Sequence, residues 1–584
     1  MKFGAEIEFL KGTGTYTLDA PADITLFSPE EVRELAPPLA ALMPSTFHTV
    51  ADVLSLPLET FAFGIGDINQ PPAFQRSQAD HDRLFHLYWQ DTWKLRPRFT
   101  INYGLAWSFE SNALNHDLTK PQYLAPIFGA GGLGHEQHAW LRFTPAAGFA
   151  WSLPDNRTVI RGGGGIFYDT LNIETRLVER AYLGPLGTGY LPLPGSIVPN
   201  PIPGIPGLPV GAPLDLRVPT LFSGGLLNAI LPLIRAAAIQ QLNVNPGNTD
   251  LSVRNIDVFK TGSDLFVQDF VPAQAQHLSL GVQRQVTRDF AVTADFAFRH
   301  YIHEMLRGVD LNHYTAVGGP VIPACAPEQA TVAGVECSNG PIQASISGGN
   351  GTYKALLVRA DKRFSHRHSI GVAYALQSDR NIYGLNLLDT PITNLNNWTQ
   401  NVGPSSPRHV LNISGMVAVP GGVQISFISS FNSRQPFQPI ITGTDFYGTG
   451  IDEFLLPGSG TNQFNFGLGK SDLVNLVNQY NQTYGGKKGP NPAQVFPTIT
   501  LPQHFETGHI FNSQDLRVTK LFHFRERLEW QLFGEVFNLL NTANLTGYED
   551  NLLAPGFGQP TSRFNNVFGT GGPRAFQLGT RISF

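Results

Sequence analysis

Ala575-Phe576-Gln577-Leu578-Gly579-Thr580-Arg581-Ile582-Ser583-Phe584 are the last ten residues of the sequence. Phe576, Leu578, Thr580, Ile582 and Phe584 occupy alternate positions, and Ala575, Gln577, Gly579, Arg581 and Ser583 fall between them. A period of two puts each set on its own face of a β-strand. One face is therefore apolar and the other small or polar, and the strand ends on an aromatic side chain.

The same alternation recurs along the 584 residues, mostly in pairs. Phe99–Phe109 alternates throughout. Its partner Arg83–Leu95 carries Phe85, Leu87, Trp89, Trp93 and Leu95 on one face, and only Arg96-Pro97-Arg98 separates the two. Arg142–Ser152 and Thr158–Tyr168 flank Pro154-Asp155-Asn156, and His277–Val286 and Phe290–His300 flank Thr287-Arg288-Asp289. Lys354–Phe364 and His368–Ser378 turn at Ser365-His366-Arg367, and His409–Val419 and Val423–Phe431 turn at Pro420-Gly421-Gly422. Gln514–Phe524 and Leu528–Leu539 turn at Arg525-Glu526-Arg527. Gly, Pro, Asn, Asp and Ser recur at these corners, as tight hairpins require. Lys2–Phe9 reads as a further strand, with Phe3, Ala5, Ile7 and Phe9 on one face.

Between the pairs the connections are long, as from Phe9 to Arg83, Tyr168 to His277 and Phe431 to Gln514. Compact soluble domains rarely carry such loops. Short turns at one end and long loops at the other fit an all-β, transmembrane antiparallel barrel of about fourteen strands, with short periplasmic turns and long extracellular loops. In Leu528–Leu539, lipid can face Leu528, Trp530, Leu532, Gly534 and Val536, and a wet lumen can face Glu529, Gln531 and Glu535. Trp89, Trp93, Trp107, Trp140 and Trp151 lie on or beside strand segments, where an interfacial aromatic girdle would need them.

Composition alone leaves a soluble all-β protein open. No window has the roughly 18 uninterrupted apolar residues of a transmembrane helix. The nearest, Leu226–Ile239, is broken by Asn228, Pro232 and Arg235 and reads as a short loop helix. The net charge of −5 comes without a basic block, which argues against a nucleic-acid partner. Cys325 and Cys337 sit in a Pro/Gly-rich connection. In an oxidising compartment they are expected to form a disulfide, the other reading being two unpaired thiols.

No catalytic constellation emerges, so no enzyme activity and no cofactor are expected. Gly162-Gly163-Gly164-Gly165 lacks the Lys-Ser/Thr and the helix of a phosphate loop and reads as relief of crowding in a strand. His300, His303 and Glu304 stand close together, but as an ordinary strand end rather than a metal site. Asp445 and Asp452 lack the intervening oxygen ligands of a calcium loop. Asp472–Tyr480 reads as a short helix with Leu473, Leu476 and Val477 on one face. Phe437, Phe446 and Tyr447 could stack on a ligand, although packing is the commoner role of loop aromatics.

The terminal strand resembles the closing strand of bacterial outer-membrane barrels. Several further segments resemble Oar-like TonB-dependent receptors: Leu87–Lys94 with Pro97–Leu105, Phe143–Trp151 with Thr158–Asp169, Arg408–Gly415, Asp515–Lys520 and Glu535–Asn541. The resemblance runs past Phe85 to the end of the sequence and rests on the order of modest motifs. It implies a barrel of about 22 strands, of which this chain would supply the carboxy-terminal portion. It also implies a location in the bacterial cell outer membrane and uptake of a scarce ligand of unread identity. Phe576, Leu578, Ile582 and Phe584 would then act as an assembly signal. Partners would be outer-membrane lipid and the barrel assembly machinery, with the TonB complex engaged only where a plug is present. Residues 1–584 are expected to be one barrel unit, truncated at the amino terminus, without signal peptide or plug. Two other readings stay open. One is a plug-free pore or adhesin in which Lys2–Phe9 pairs with Gln577–Phe584; the other is a secreted β-rich domain.

Overall fold

The alternating segments build one wall. A computed structural model describes residues 1–11, 81–111, 114–135, 142–186, 249–312, 332–381, 402–444, 453–489, 494–524, 528–564 and 570–584, apart from a few residues within them and with scattered residues between. The wall strands run in chain order as β1 (Lys2–Lys11), β2 (His81–Arg96), β3 (Phe99–Glu110), β4 (Arg142–Ser152), β5 (Thr158–Tyr168), β6 (Gln274–Gln285) and β7 (Phe290–Asp310). They continue as β8 (Ile342–Ser365), β9 (His368–Asn381), β10 (His409–Val419), β11 (Val423–Asn432), β12 (Phe511–Phe524), β13 (Leu528–Phe537) and β14 (Ala575–Ser583). Each pairs with the next in a single path, antiparallel throughout. The alternation of side chains thus marked all of these strands. Among the described residues β1 pairs only with β2, and β14 only with β13. The pairing of β1 with β14 that a self-closed pore would use is not formed there.

Register carries the two faces across the whole sheet. Glu535 stands opposite both Arg517 and Gln577, and Val536 opposite Leu516 and Phe576. One face therefore collects Trp93, Leu105, Trp151, Leu278, Leu280, Phe296, Leu356 and Leu532, all exposed. In water such an area would aggregate; in a bilayer it meets lipid. Leu578 (85% exposed) and Phe3 (81%) are the extremes, on the two end strands. Trp89, Trp93, Trp107 and Trp151 all share this face by register; Trp140 lies outside the described residues. Arginine in place of Leu532 should destabilise the folded wall by about 2–4 kcal/mol, whereas arginine at the lumen-facing Gln531 should change little. Reversible unfolding in lipid vesicles, followed by tryptophan fluorescence, measures both.

Two strands run ten or so residues beyond what their alternation suggested. β7 continues to Asp310 and β8 starts at Ile342, with register shifts between Tyr301 and Val309. Each shift flips the side-chain parity, so the period of two fades there although the pairing persists.

The long connections are not structureless. Among the described residues, those after β3, β5 and β7 fold into one lobe and those after β11 and β13 into another, each with its own apolar core. In the first, helix α1 (Ile173–Leu183), the short helix α2 (Asn255–Phe259) and a strand at Gly262–Phe266 enclose Leu118, Leu124, Leu183, Ile256, Leu265 and Ile342. The strand adds in parallel to the upper end of β8, Leu265 opposite Ala344. In the second, helix α3 (Lys470–Thr483) and a hairpin of Ile440–Thr442 with Glu453–Leu455 surround Phe454, Phe464, Leu473, Val477 and Phe557. α3 begins at Gly469, whose N–H donates to Asp472 Oδ2 at 2.8 Å. Leu473 and Val477 are buried in it and Leu476 packs alongside, the face expected for the shorter helix. Leu226–Ile239 and the turn Arg525-Glu526-Arg527 lie outside the described residues.

Candidate functional site on the inner face of the wall

Alternation that turns apolar side chains to lipid turns the charges inward. Arg161 on β5 reaches Asp295 on β7, with both Nη2 contacts at 3.0 and 3.1 Å. β6 lies between them, so the pair spans two strand spacings of about 4.8 Å each. The intervening position is Gly281, opposite Arg161 on one side and Asp295 on the other. A Cβ there would stand 1.8 Å from Asp295 Oδ1, so only glycine leaves the carboxylate its place.

Beside this pair, Arg359 Nε meets Asp361 Oδ2 at 2.6 Å along β8, the two being i and i+2 on one face. Together with Gln283, Thr293 and Asn412 they line a groove of about 610 Å³. Further along the same face Ser430 donates to Asn412 Oδ1 at 2.8 Å. Arg517 pairs with Glu535 at 3.0 Å and lies over the Phe533 ring at 3.8 Å. Arg161 and Arg359 keep 49% and 69% of their side-chain surface. Exposed pairs of this kind add at most about 1 kcal/mol each. Their charges can therefore be traded for those of a polar ligand or partner at little cost. The arrangement offers paired donors and acceptors for binding.

The residues singled out by sequence fall in different places. Cys325 and Cys337 are joined, with the sulfurs 2.08 Å apart, in the connection that ends at β8. Cys325 N–H donates to Ser338 O, which fixes the second cysteine's neighbour beside the first. Phe576, Leu578, Ile582 and Phe584 share the lipid face of β14 or its end. Gly162–Gly165 lie within β5. A Cβ at Gly162 would meet the Phe149 ring at 2.8 Å, and one at Gly164 would meet His277 O at 2.7 Å. His300, His303 and Glu304 are on β7 at and above the register shifts, and no group of three metal-ligating side chains forms among the described residues. Asp445, Asp452 and Tyr447 lie outside the described residues. Phe437 is buried in the second lobe, and Phe446 stacks on Phe454 at 4.4 Å, so both pack. The neighbouring Tyr480 hydroxyl is pushed up to about 12 by burial.

Sequence reading did not single out Arg161, Asp295, Arg359 or Asp361. Each has a polar-face position in an alternating strand, which is a usable signal. Arg161 and Asp295 are 134 residues apart, however, and only the order of strands brings them together.

A family model described as an outer membrane beta barrel domain matches residues 1–577. No curated protein matches the chain. Among solved structures it is similar to the outer membrane transporter YddB from Escherichia coli, at 8% identity and a TM-score of 0.42 over 86% of this chain and 45% of that one. It is also similar to the siderophore receptor PirA from Acinetobacter baumannii, at 11% identity and a TM-score of 0.40 over 90% and 51% of the two chains. The ferric enterobactin receptor of Pseudomonas aeruginosa matches at 10% identity and a TM-score of 0.39 over 86% and 45%. The chain spans about half the length of these structures.

Proposed function

Because this chain belongs to the outer membrane beta barrel domain family, a family of the bacterial outer membrane, we propose that it forms the wall and outer lobes of a receptor or transporter. The observation that carries the reading is the division of the sheet. A lipid-facing apolar side backs an inner side that holds the groove of Arg161, Asp295, Arg359 and Asp361. A charged inner surface suits a polar cargo, or a polar domain seated in the lumen.

The finer reading, a TonB-dependent receptor of the Oar-like kind, rests on the motifs from Leu87 to Asn541. On that reading residues 1–584 act as one barrel unit, and a plug supplied with it would engage TonB. The lobes would make first contact with the ligand, and the wall itself would perform no chemistry. Phe576, Leu578, Ile582 and Phe584 would present β14 to the assembly machinery.

Cells that make the protein should take up one of a ferric siderophore, cobalamin, an oligosaccharide or a peptide faster than cells lacking it. That uptake should stop when the proton gradient is collapsed. Equal uptake of every probe would overturn the receptor reading, and uptake that survives the collapse would favour a passive pore.

A further inference from the structure

The chain as a whole is acidic, with 40 Lys and Arg against 45 Asp and Glu. Its rim of short turns, which the receptor reading proposed above places in the periplasm, is not. The β2–β3 turn carries Arg96 and Arg98, the β4–β5 turn Arg157, the β6–β7 turn Arg288, and the β8–β9 turn is flanked by Arg363 and holds Arg367. All six are exposed, and among the described residues none has a carboxylate partner.

Backbone hydrogen bonds set these turns in a row. Ser152 N–H donates to Arg98 O at 2.8 Å, Gln285 N–H to Arg157 O at 2.8 Å, Arg363 N–H to Asp289 O at 2.8 Å, and Ala418 N–H to Arg367 O at 2.7 Å. Each turn is thus tied to the next hairpin through its main chain, without use of the guanidiniums. Successive hairpins are about two strand spacings apart, near the Debye length of roughly 8–10 Å at moderate salt, so their potentials add.

The two acids of these turns, Asp155 and Asp289, are already engaged. Asp155 accepts from Thr158 Oγ1 at 2.6 Å and from Arg157 N–H at 3.0 Å, which hold its carboxyl down at about 2. Asp289 accepts from Ser365 and Thr287, which hold it well below the usual carboxylate range, and pairs with Lys362 at 3.5 Å. These contacts orient the turns and do not cover the six arginines.

The lipid face fixes the depth of the row. Trp93 (54% exposed) and Trp151 (45%) face lipid within a few residues of Arg96 and Arg157, and Phe364 (53%) is exposed beside Arg363. Such aromatics mark the edge of the hydrocarbon. Long cationic side chains just beyond that edge reach the headgroup layer. Lys362 and Arg284 stand on lipid-facing positions of β8 and β6 at the same level.

We propose that this arginine row binds anionic phospholipid headgroups of the periplasmic leaflet, preferring phosphatidylglycerol to a zwitterionic headgroup. Juxtamembrane cations of this kind attract anionic lipid within a Debye length of the surface. The test reconstitutes the full chain in phosphatidylcholine vesicles and compares spin-labelled phosphatidylglycerol with spin-labelled phosphatidylcholine in the motionally restricted shell. At low salt the anionic label should associate about threefold or more strongly, and the ratio should approach one in 1 M salt. Arg96→Gln, Arg98→Gln, Arg288→Gln and Arg367→Gln combined should bring the low-salt ratio close to one, with heat-modifiable mobility retained as the sign of a folded wall. Should that variant not fold, the wild-type salt titration decides alone. Equal association of the two labels at low salt, a preference indifferent to salt, or a folded variant that keeps it would each overturn the proposal. Equal association together with salt-sensitive retention of an acidic periplasmic protein would overturn it in favour of a protein partner.

Discussion

Replacing Glu179 with alanine is expected to destabilise the first lobe by about 3–5 kcal/mol, the usual cost of removing one member of a buried ionic group. Glu179 lies on α1 with no exposed surface. Its carboxylate accepts from Asn115 Nδ2 at 2.9 Å and from Phe266 N–H at 2.9 Å, and Lys120 Nζ is 3.8 Å away, also fully buried. It therefore ties together the segment after β3, helix α1 and the strand at Gly262–Phe266. Alanine would take this carboxylate away from the buried Lys120 ammonium and leave the Phe266 N–H without this acceptor. Hydrogen exchange should report the loss as faster exchange in 118–133 and 255–266, while the wall amides keep their protection. Combining Glu179→Leu with Lys120→Met should recover most of the stability, because replacing both charges removes the desolvation cost as well as the attraction. Unchanged exchange in the single variant would mean that the carboxylate does not hold the lobe together.

Phe557→Ala should cost the second lobe about 3–5 kcal/mol through lost burial and the cavity left behind. Phe557 is fully buried. Its ring is 6.0 Å from Phe437 and 5.7 Å from Phe505, in the core that also includes Phe464 and Leu473. The core joins α3 to the loop before β14, so its failure should free both. Limited proteolysis ought to cut within 470–484 and 545–563 far faster than in the unchanged protein. The wall strands, hydrogen-bonded on their own ladder, should stay resistant. If the two regions respond separately, the lobe is not one cooperative unit.

Both effects fall in segments that a reading of alternation treats as loops. The wall was legible because a strand with lipid on one side and a polar lumen on the other must repeat every two residues. Trp530 and Leu532 alternate with Glu529 and Gln531 for that reason, and turn residues mark the ends. Where the physics relaxes, the reading shortens. β7 and β8 run past His300 and Lys354 because bulges shift the parity. The lobes carry no simple period, since their cores gather single residues from distant segments, as Leu118, Leu183, Ile256 and Ile342 do. The candidate groove was half legible. The polar parity of Arg161 and Asp295 is in the sequence; that Gly281 lets one reach the other is not.

Local chemistry by itself determined the strand class, the number of wall strands, their pairing order and the face each side chain takes, β14 included. A period of two is a property of the backbone, and consecutive antiparallel strands joined by short turns have few other ways to pair. Only the tertiary structure decided that the described parts of the long connections are folded lobes, that Glu179 is the buried anchor of the first, and that the Arg161 and Asp295 side chains meet across β6. Those facts depend on residues tens to more than a hundred positions apart sharing a few ångströms, and no local pattern encodes that distance.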